Sequence, residues 1–254
     1  MVVGLDIWRQ HFQAFTDRYA LVGGVACETL MADVGLEFRA TKDLDIVLLV
    51  EVQDAAFAEV FWAFVGAGGY AVKEKSEGGN LYRFAKPATP GYPFMIELFS
   101  RAPDGFTLVE GSRLTPLPVD ETDARLSAIL LDEAYYALLQ ANLREVGGLP
   151  LLSEAAVIPF KARAYLDLVK RKADGEKVDS ADIKKHRNDV FRILQLLPGE
   201  NALALPDPIR ADVQAFAAAV RADEAFKPSD FNVRLRPDEA LARLVAAYGL
   251  SADA

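Results

Sequence analysis

The chain has a single cysteine, Cys27, among its 254 residues, so no internal disulfide can form. It contains no apolar run close to the ~20 residues that a membrane-spanning helix needs. Its N-terminus lacks the basic-then-apolar order of a secretion signal. No G-x-x-x-x-G-K-S/T segment occurs, which excludes a P-loop ATPase. These absences predict a cytoplasmic protein without membrane association, in which Cys27 is a buried and unreactive thiol.

Positive charge is also scarce, with 28 Lys and Arg against 37 Asp and Glu and a net charge of −9. A protein that coats nucleic acid needs a basic surface, so this balance argues against such a role but leaves room for a local basic cleft. Residues 161–187 are such a segment, with nine Lys and Arg against five acids. The excess of positive charge in this segment, within an otherwise acidic chain, would attract triphosphate or RNA. The ordinary interpretation for most of these residues is a solvated helix face with internal ion pairs.

The patterning predicts an α/β protein of the α+β type: a mixed sheet with flanking helices, followed by a C-terminal helical lobe. Strand and helix patterns alternate over residues 1–148, and only helical patterns occur over 149–254. The segment Gly147-Gly148-Leu149-Pro150 is the predicted domain boundary. Helices are predicted near 153–172, 180–197, 208–222 and 237–247.

One glycine cluster has a misleading spacing. Gly66-x-Gly68-x-x-Ala71 matches a dinucleotide-binding fingerprint, but that fingerprint requires a strand before the glycines and a helix after them. Here a helix pattern precedes the glycines. The strand-like segments Tyr70–Lys75 and Asn80–Phe84 that follow predict a β-hairpin instead.

The pair Gly23-Gly24 separates an apolar strand, Tyr19–Val22, from a helical pattern. Glycines let a ligand approach the backbone without obstruction by a Cβ atom. The first turn of the following helix directs free N–H groups and a positive dipole end toward the same place. The segment therefore predicts an anion-binding turn.

Two carboxylates, Asp43 and Asp45, stand at the start of the next apolar strand. A strand has a side-chain period of two, so both project from one face with Cα atoms ~6.6 Å apart, and Leu44 points into the core. Two carboxylates on one face repel one another unless a cation lies between them. Mg²⁺ is the natural candidate because it prefers oxygen ligands and completes its shell with water and substrate phosphates.

A third carboxylate, Glu97, lies inside the apolar strand Tyr92–Ser100, between Ile96 and Leu98. A lone carboxylate there is costly unless it is paired or binds a metal. Because adjacent strands lie only ~4.8 Å apart, Glu97 can reach the same metal pair as the aspartates. Two-metal sites stabilise the attacking and leaving oxygens of a displacement, and a carboxylate beside them can instead act as base on the acceptor hydroxyl.

The order Gly-Gly, helix, Arg-x-Thr-x-Asp-x-Asp resembles the nucleotidyltransferase superfamily, and within it the abortive-infection (AbiEii-like) branch of bacterial toxin–antitoxin systems. The family often has serine where this chain has Gly24, and often aspartate where it has Glu97. The resemblance implies a catalytic domain over 1–148, a helical domain over 149–254, and two Mg²⁺ ions. The residues to which it assigns metal or nucleotide contacts in this stretch are Gly23, Gly24, Arg39, Thr41, Asp43, Asp45 and Glu97.

The same family places a nucleotide-contacting lysine on the first helix of the C-terminal lobe and an aspartate on the next. Lys161 and Asp182 match those positions. Lys161 follows Ile158-Pro159-Phe160 on an otherwise apolar helix opening, which favours a specific purpose for its ammonium. The run 182–189 also resembles this branch, without assigned roles. His186 within it is not expected to bind metal, because no second histidine is near.

The resemblance implies transfer of a nucleoside monophosphate from an NTP to RNA, tRNA or protein, with release of pyrophosphate and with an antitoxin as partner. Two alternatives remain open. In the first, the acceptor is a small molecule such as an aminoglycoside, and the acidic surface is compatible with a cationic acceptor of this kind. In the second, the chain is a non-enzymatic binding module with a degenerate site, but the presence of all three carboxylates argues against this.

Overall fold

A computed structural model of the chain describes residues 2–49, 55–75, 81–99, 129 and 132–251. The chain divides into two units. The first comprises Met1–Leu131 and Gln140–Leu152, and the second comprises Asp132–Leu139 and Ser153–Ala254. Each unit has its own core and is described separately.

Within the described residues, the first unit contains a seven-stranded sheet in the order β3-β4-β5-β2-β1-β7-β6. The strands are β1 Tyr19–Leu21, β2 Asp43–Leu48, β3 Ala71–Lys75, β4 Leu81–Ala85, β5 Met95–Phe99, β6 Leu143–Val146 and β7 Leu149–Leu152. The β2–β5 and β1–β7 pairs are parallel, and the other pairs are antiparallel. The predicted mixed sheet is therefore confirmed. The predicted hairpin also forms as β3 and β4, although its turn lies outside the described residues.

The strands β6 and β7 form a second hairpin whose turn is Gly147-Gly148. Both glycines have positive φ angles, +56° and +79°, which L side chains rarely adopt. The following strand β7 then joins the sheet beside β1, with Leu151 opposite Leu21. The boundary expected at residue 148 thus falls in a hairpin turn rather than in a linker, and the first unit continues to Leu152.

The described ranges of the first unit include the helices α1 Leu5–Phe12, α2 Gly23–Asp33 and α3 Ala55–Gly68. An aromatic cluster joins α1 and α3 to the sheet. The indole of Trp8 stacks on Phe12 with ring centroids 3.8 Å apart and meets Tyr19 of β1 edge-on at 5.5 Å. Such buried aromatic pairs stabilise a core beyond their buried area.

The register between β1 and β2 shows on which face of the sheet Asp43 and Asp45 lie. Tyr19 lies opposite Leu48, and directly paired residues share a face of the sheet. By the alternation of strand residues, Leu44 lies on the aromatic face and Asp43 and Asp45 lie on the other. The sequence prediction for this strand is confirmed, since Leu44 is fully buried while both aspartates are partly accessible.

The described part of the second unit is helical. Its helices are α4 Glu133–Ala141, which ends in the first unit, then α5 Glu154–Ala173, α6 Ser180–Leu194, α7 Asp207–Arg221 and α8 Pro237–Tyr248, with a 3-10 turn at Pro228–Phe231. Two helices have aspartate N-caps: Asp132 accepts from the backbone N–H of Ala134, and Asp179 accepts from that of Ala181. The predicted C-terminal helical lobe is confirmed.

Two smaller expectations are also answered. The Cys27 thiol is buried in α2, as predicted. Across the described ranges, no helix combines the length and apolar character required to cross a bilayer. The apolar pattern of residues 125–131 predicts a further buried strand. This segment lies outside the described residues, apart from Ile129, which is helical.

Candidate functional site

The diglycine turn joins β1 directly to α2, and nearby side chains fill the space that a Cβ atom would need. Gly23 has φ +63°, and a Cβ on it would lie 2.0 Å from Oδ2 of Asp45. A Cβ on Gly24 would lie 2.9 Å from Cγ2 of Thr41. Glycine is therefore required here by the close approach of these side chains as well as by backbone angle.

Asp45 is tied to this turn at two points. Its backbone carbonyl accepts a hydrogen bond from the N–H of Val22 at 3.0 Å. Its Oδ2 accepts one from the N–H of Gly24 at 3.2 Å. The carboxylate thus lies at the N-terminus of α2, where the helix dipole stabilises negative charge.

Glu97 is the direct neighbour of Asp45 across the parallel β2–β5 pair, and Asp43 lies opposite Met95. Since Met95 and Glu97 are two residues apart, all three carboxylates lie on one face of adjacent strands. Glu97 is buried, with 8% of its surface exposed, and it is paired directly with Asp45 across the two strands. The expected juxtaposition of Glu97 with the aspartates is present.

Arg83 of β4 completes this arrangement and was not anticipated from the sequence. It lies directly opposite Glu97 in the antiparallel β4–β5 pair. Its Nε and Nη2 donate to the same oxygen, Oε1 of Glu97, at 3.0 and 2.7 Å. Arg83, Glu97 and Asp45 therefore form a row across three neighbouring strands. The sequence contained one indication of this role. Arg83 is a charged residue between two aromatic residues of a predicted strand, and such a charge needs a partner, as Glu97 does.

The surroundings of Glu97 raise its pKa to about 8. Burial is the largest cause, the negative charge of Asp45 adds to it, the guanidinium of Arg83 opposes it, and Asp43 adds a further increase. The carboxyl of Glu97 therefore retains a proton at neutral pH when no metal is bound.

The donor set was tested against Mg²⁺. In the described ranges, no three Asp, Glu, His or Cys side chains form a closed metal-binding group. Mg²⁺ does not require one, since it is usually held by one or two carboxylates together with water and substrate phosphates. Asp43 and Asp45 supply oxygen ligands of this kind, while Oε1 of Glu97 is engaged by Arg83. The residues fit one Mg²⁺ at the aspartates, and both the second ion and the ligand role of Glu97 stay predictions.

The other two residues of the Arg-x-Thr-x-Asp-x-Asp motif lie beside the diglycine turn. The hydroxyl of Thr41 is buried and has no hydrogen-bond partner among the described residues, and it lies 3.0 Å from the position of a Cβ on Gly24. Nη2 of Arg39 lies 3.6 Å from that same position, and the Arg39 guanidinium also stacks over Phe38 at 5.2 Å. A hydroxyl, a guanidinium and a helix N-terminus therefore meet at one place, which suits a phosphate group.

Lys161 and Asp182, the two residues expected to contact nucleotide from the C-terminal lobe, lie in the second unit and have different partners. The Lys161 ammonium pairs with Oδ2 of Asp189 at 3.2 Å, and both side chains are buried. Arg192 binds the other oxygen of Asp189 at 3.1 Å. Asp182 instead pairs with Lys185 at 3.1 Å.

The acid on α6 that holds Lys161 is thus Asp189 and not Asp182. The sequence contained a signal for this difference. Asp189 precedes the apolar residues Val190 and Phe191 of the helix core, where a charge needs a buried partner.

No family model, no curated protein and no solved structure matches this chain. The family resemblance is carried only by the motif residues of this sequence.

Proposed function

We propose that this protein is a Mg²⁺-dependent nucleotidyltransferase that moves a nucleoside monophosphate from an NTP to an acceptor hydroxyl. One observation carries the proposal: Asp45 contacts both Glu97 and the N–H of Gly24. An acidic cluster suited to a divalent cation and a turn suited to phosphate are therefore adjacent. Phosphoryl transfer requires this adjacency, since its catalysis depends on positioning and on neutralising charge.

The triphosphate is held at the diglycine turn. The N–H of Gly24 and the dipole of α2 attract an anion, and the buried hydroxyl of Thr41 gains the hydrogen bond that it lacks among the described residues. Arg39 adds a full positive charge on the same side. Together these groups orient the triphosphate relative to the acids of β2.

Asp43 and Asp45 would hold the metal from one face of β2, with Oε2 of Glu97 as a proposed third ligand. Glu97 is already paired with Arg83, so a divalent cation would compensate the negative charge of Asp43 and Asp45. When bound, Mg²⁺ would polarise the phosphate oxygens and neutralise charge on the leaving pyrophosphate.

Glu97 is the group proposed to receive the proton of the acceptor hydroxyl. The acceptor oxygen forms a bond to the α-phosphorus, the bond from that phosphorus to the bridging oxygen breaks, and pyrophosphate leaves with the electron pair. The proton released by the acceptor passes to the Glu97 carboxylate. A base of this kind works best when its pKa lies near the working pH.

The acceptor is proposed to be RNA, tRNA or protein, and the partner an antitoxin protein, in a cytoplasmic setting. Lys161 and Asp182 remain proposed nucleotide contacts. A phosphate at Lys161 would share its ammonium with Asp189. A small cationic acceptor such as an aminoglycoside is the alternative that the net charge of −9 permits.

The test is incubation of the protein with each labelled NTP, Mg²⁺ and total cell RNA, followed by gel separation. Parallel reactions contain a protein extract or an aminoglycoside in place of RNA. Asp45→Asn is expected to abolish transfer while the fold survives. Asp33→Asn, which alters a half-exposed aspartate paired with Arg144, is the matched control and is expected to retain it. Absence of transfer to every acceptor, together with absence of Mg²⁺-dependent NTP binding by calorimetry, would reject the proposal.

A further inference from the structure

Arg83 and Glu97 form the most enclosed ion pair of the described part of the first unit. The exposed fractions of their side chains are 13% and 10%. The pair lies on the same row as Asp45, with Arg83 on β4, Glu97 on β5 and Asp45 on β2. Strand β5 therefore separates Arg83 from the proposed metal ligands Asp43 and Asp45.

The contact between Arg83 and Glu97 uses only one of the two carboxyl oxygens, and this constrains the orientation of the carboxyl. Both Nε and Nη2 of Arg83 donate to Oε1 of Glu97. Holding one oxygen with two donors of a rigid planar group fixes the rotation of the carboxyl about its last bond. A lysine ammonium would supply the same charge without this orientation.

Neither of the two simpler roles accounts for this geometry. Neutralisation of a buried acid alone requires a nearby positive charge, and a single hydrogen bond would suffice for it. Direct binding of substrate by Arg83 is disfavoured, because two of its nitrogens are bound to Glu97 and the guanidinium is largely buried.

We infer that Arg83 is a positioning residue: it anchors Oε1 of Glu97 and thereby directs Oε2 toward the reaction centre formed by Asp43 and Asp45. This inference depends on the proposed nucleotidyl transfer for its chemical meaning. The structural claim is that Arg83 affects the site only through the orientation of Glu97.

A double-mutant cycle tests whether Arg83 acts only through Glu97. The variants are Arg83→Met, Arg83→Lys, Glu97→Gln and the double variant Arg83→Met with Glu97→Gln. Arg144→Met, which breaks the Arg144–Asp33 pair of the same unit, is the matched control. Two readouts are measured: kcat and KM for the transferred nucleotide, and the affinity for Mn²⁺ by calorimetry without nucleotide. Mn²⁺ is used because it takes oxygen ligands as Mg²⁺ does.

In the presence of Glu97, Arg83→Met is expected to lower kcat and Mn²⁺ affinity by about 10- to 100-fold, as loss of a supporting partner does at metal sites. KM is expected to change by less than about twofold, because the lost interaction serves the transition state. Arg83→Lys is expected to recover part of the loss. In the Glu97→Gln background, Arg83→Met is expected to change neither quantity further. Arg144→Met is expected to match the unaltered protein.

Additive effects of Arg83→Met and Glu97→Gln would overturn the inference, because they would show that Arg83 acts on the ligand by itself. An unchanged kcat per folded molecule in Arg83→Met would overturn it as well. Thermal unfolding monitors folding, and Arg83→Lys replaces Arg83→Met in the cycle if the methionine variant does not fold. If the unaltered protein shows neither transfer nor Mg²⁺-dependent NTP binding, the proposed function fails, and the Mn²⁺ cycle still decides the role of Arg83.

Discussion

The carboxylate of Asp45 accepts a hydrogen bond from the backbone N–H of Gly24 at 3.2 Å, which joins strand β2 to the first turn of α2. Oδ2 of Asp45, a proposed metal ligand, thus accepts from one of the backbone donors of the proposed phosphate site. The two functions expected of this region are physically coupled, and several measurable consequences follow from the coupling.

Gly23→Ala is expected to impair ligand binding more than folding. Both Gly23 and Gly35 have positive φ, so alanine at either costs about 1–2 kcal/mol of unfolding free energy. At Gly23 the new Cβ would also displace Oδ2 of Asp45, whereas at Gly35 nothing lies within 4 Å. Urea unfolding should therefore give a loss for Gly35→Ala that reflects the backbone angle alone and a larger loss for Gly23→Ala. At temperatures where both variants are folded, calorimetry with Mg²⁺ and NTP should show lost binding only for Gly23→Ala. Equal binding by both variants would contradict the proposed role of the turn.

In the absence of metal, Asp45 is expected to compete with triphosphate for the N–H of Gly24. Asp45→Ala and Asp43→Ala each remove one negative charge, but only the first frees that donor. Without divalent cations, Asp45→Ala should bind NTP about tenfold more tightly than Asp43→Ala, the amount expected for one hydrogen bond to a charged group. Titrations of each NTP in the presence of EDTA measure this difference. Identical affinities of the two variants would show that no competition occurs.

The stability of the metal-free protein is expected to fall as pH rises from about 4.5 to about 8. The folded-state pKa of Glu97 is about 8 against an ordinary value of 4.5. Below 4.5 the group is protonated in both states and contributes no difference. Between these values the unfolded chain ionises while the folded protein keeps its proton, so the free energy of unfolding decreases, and the loss is complete above pH 8.

Urea midpoints measured across this range with EDTA present provide the check. Glu97→Gln should remove this contribution to the slope. Asp45→Asn should reduce it, because Asp45 is a principal cause of the raised pKa. An unchanged slope in Glu97→Gln would assign the pH dependence to other groups.

In the second unit, Asp189→Ala is expected to destabilise the fold strongly. Asp189 is fully buried and pairs with both Lys161 and Arg192, so its removal leaves a buried ammonium unpaired, at a cost of about 3–5 kcal/mol. Asp182→Ala breaks only a half-exposed pair and should cost about 1 kcal/mol or less. Thermal and urea unfolding compare the two. Similar small losses would mean that the buried pair contributes little.

Lys161→Met separates a structural role of the lysine from a functional one. Arg192 still neutralises Asp189 in this variant, so the loss of stability should be smaller than for Asp189→Ala. If Lys161 contacts nucleotide, calorimetry should show weaker NTP binding by a protein that remains folded. Unaltered NTP binding would confine Lys161 to the interior of the second unit.

Much of the first unit was predictable from local pattern. The turn at Gly23-Gly24 and the alternation of Asp43, Leu44 and Asp45 follow from backbone freedom and from the two-residue period of strands. These features depend on residues adjacent in the chain, so the sequence displays them directly.

Other features depended on partners that are distant in the chain. Arg83 and Asp189 are charged residues in apolar stretches of the sequence, but such a stretch does not reveal which residue its charge will meet. The hairpin at the predicted boundary Gly147-Gly148 was not apparent from local pattern, because the strand after it is short and pairs with β1, more than a hundred residues earlier.

The sequence by itself determined the periodicities, the positions of the glycines and the presence of three carboxylates in strand contexts. Only the tertiary structure decided that Glu97 meets Asp45, that Arg83 holds Glu97, and that Asp189 rather than Asp182 binds Lys161. The reason is that strand order, register and helix packing are set by the combined burial of many side chains, and no single segment carries that information.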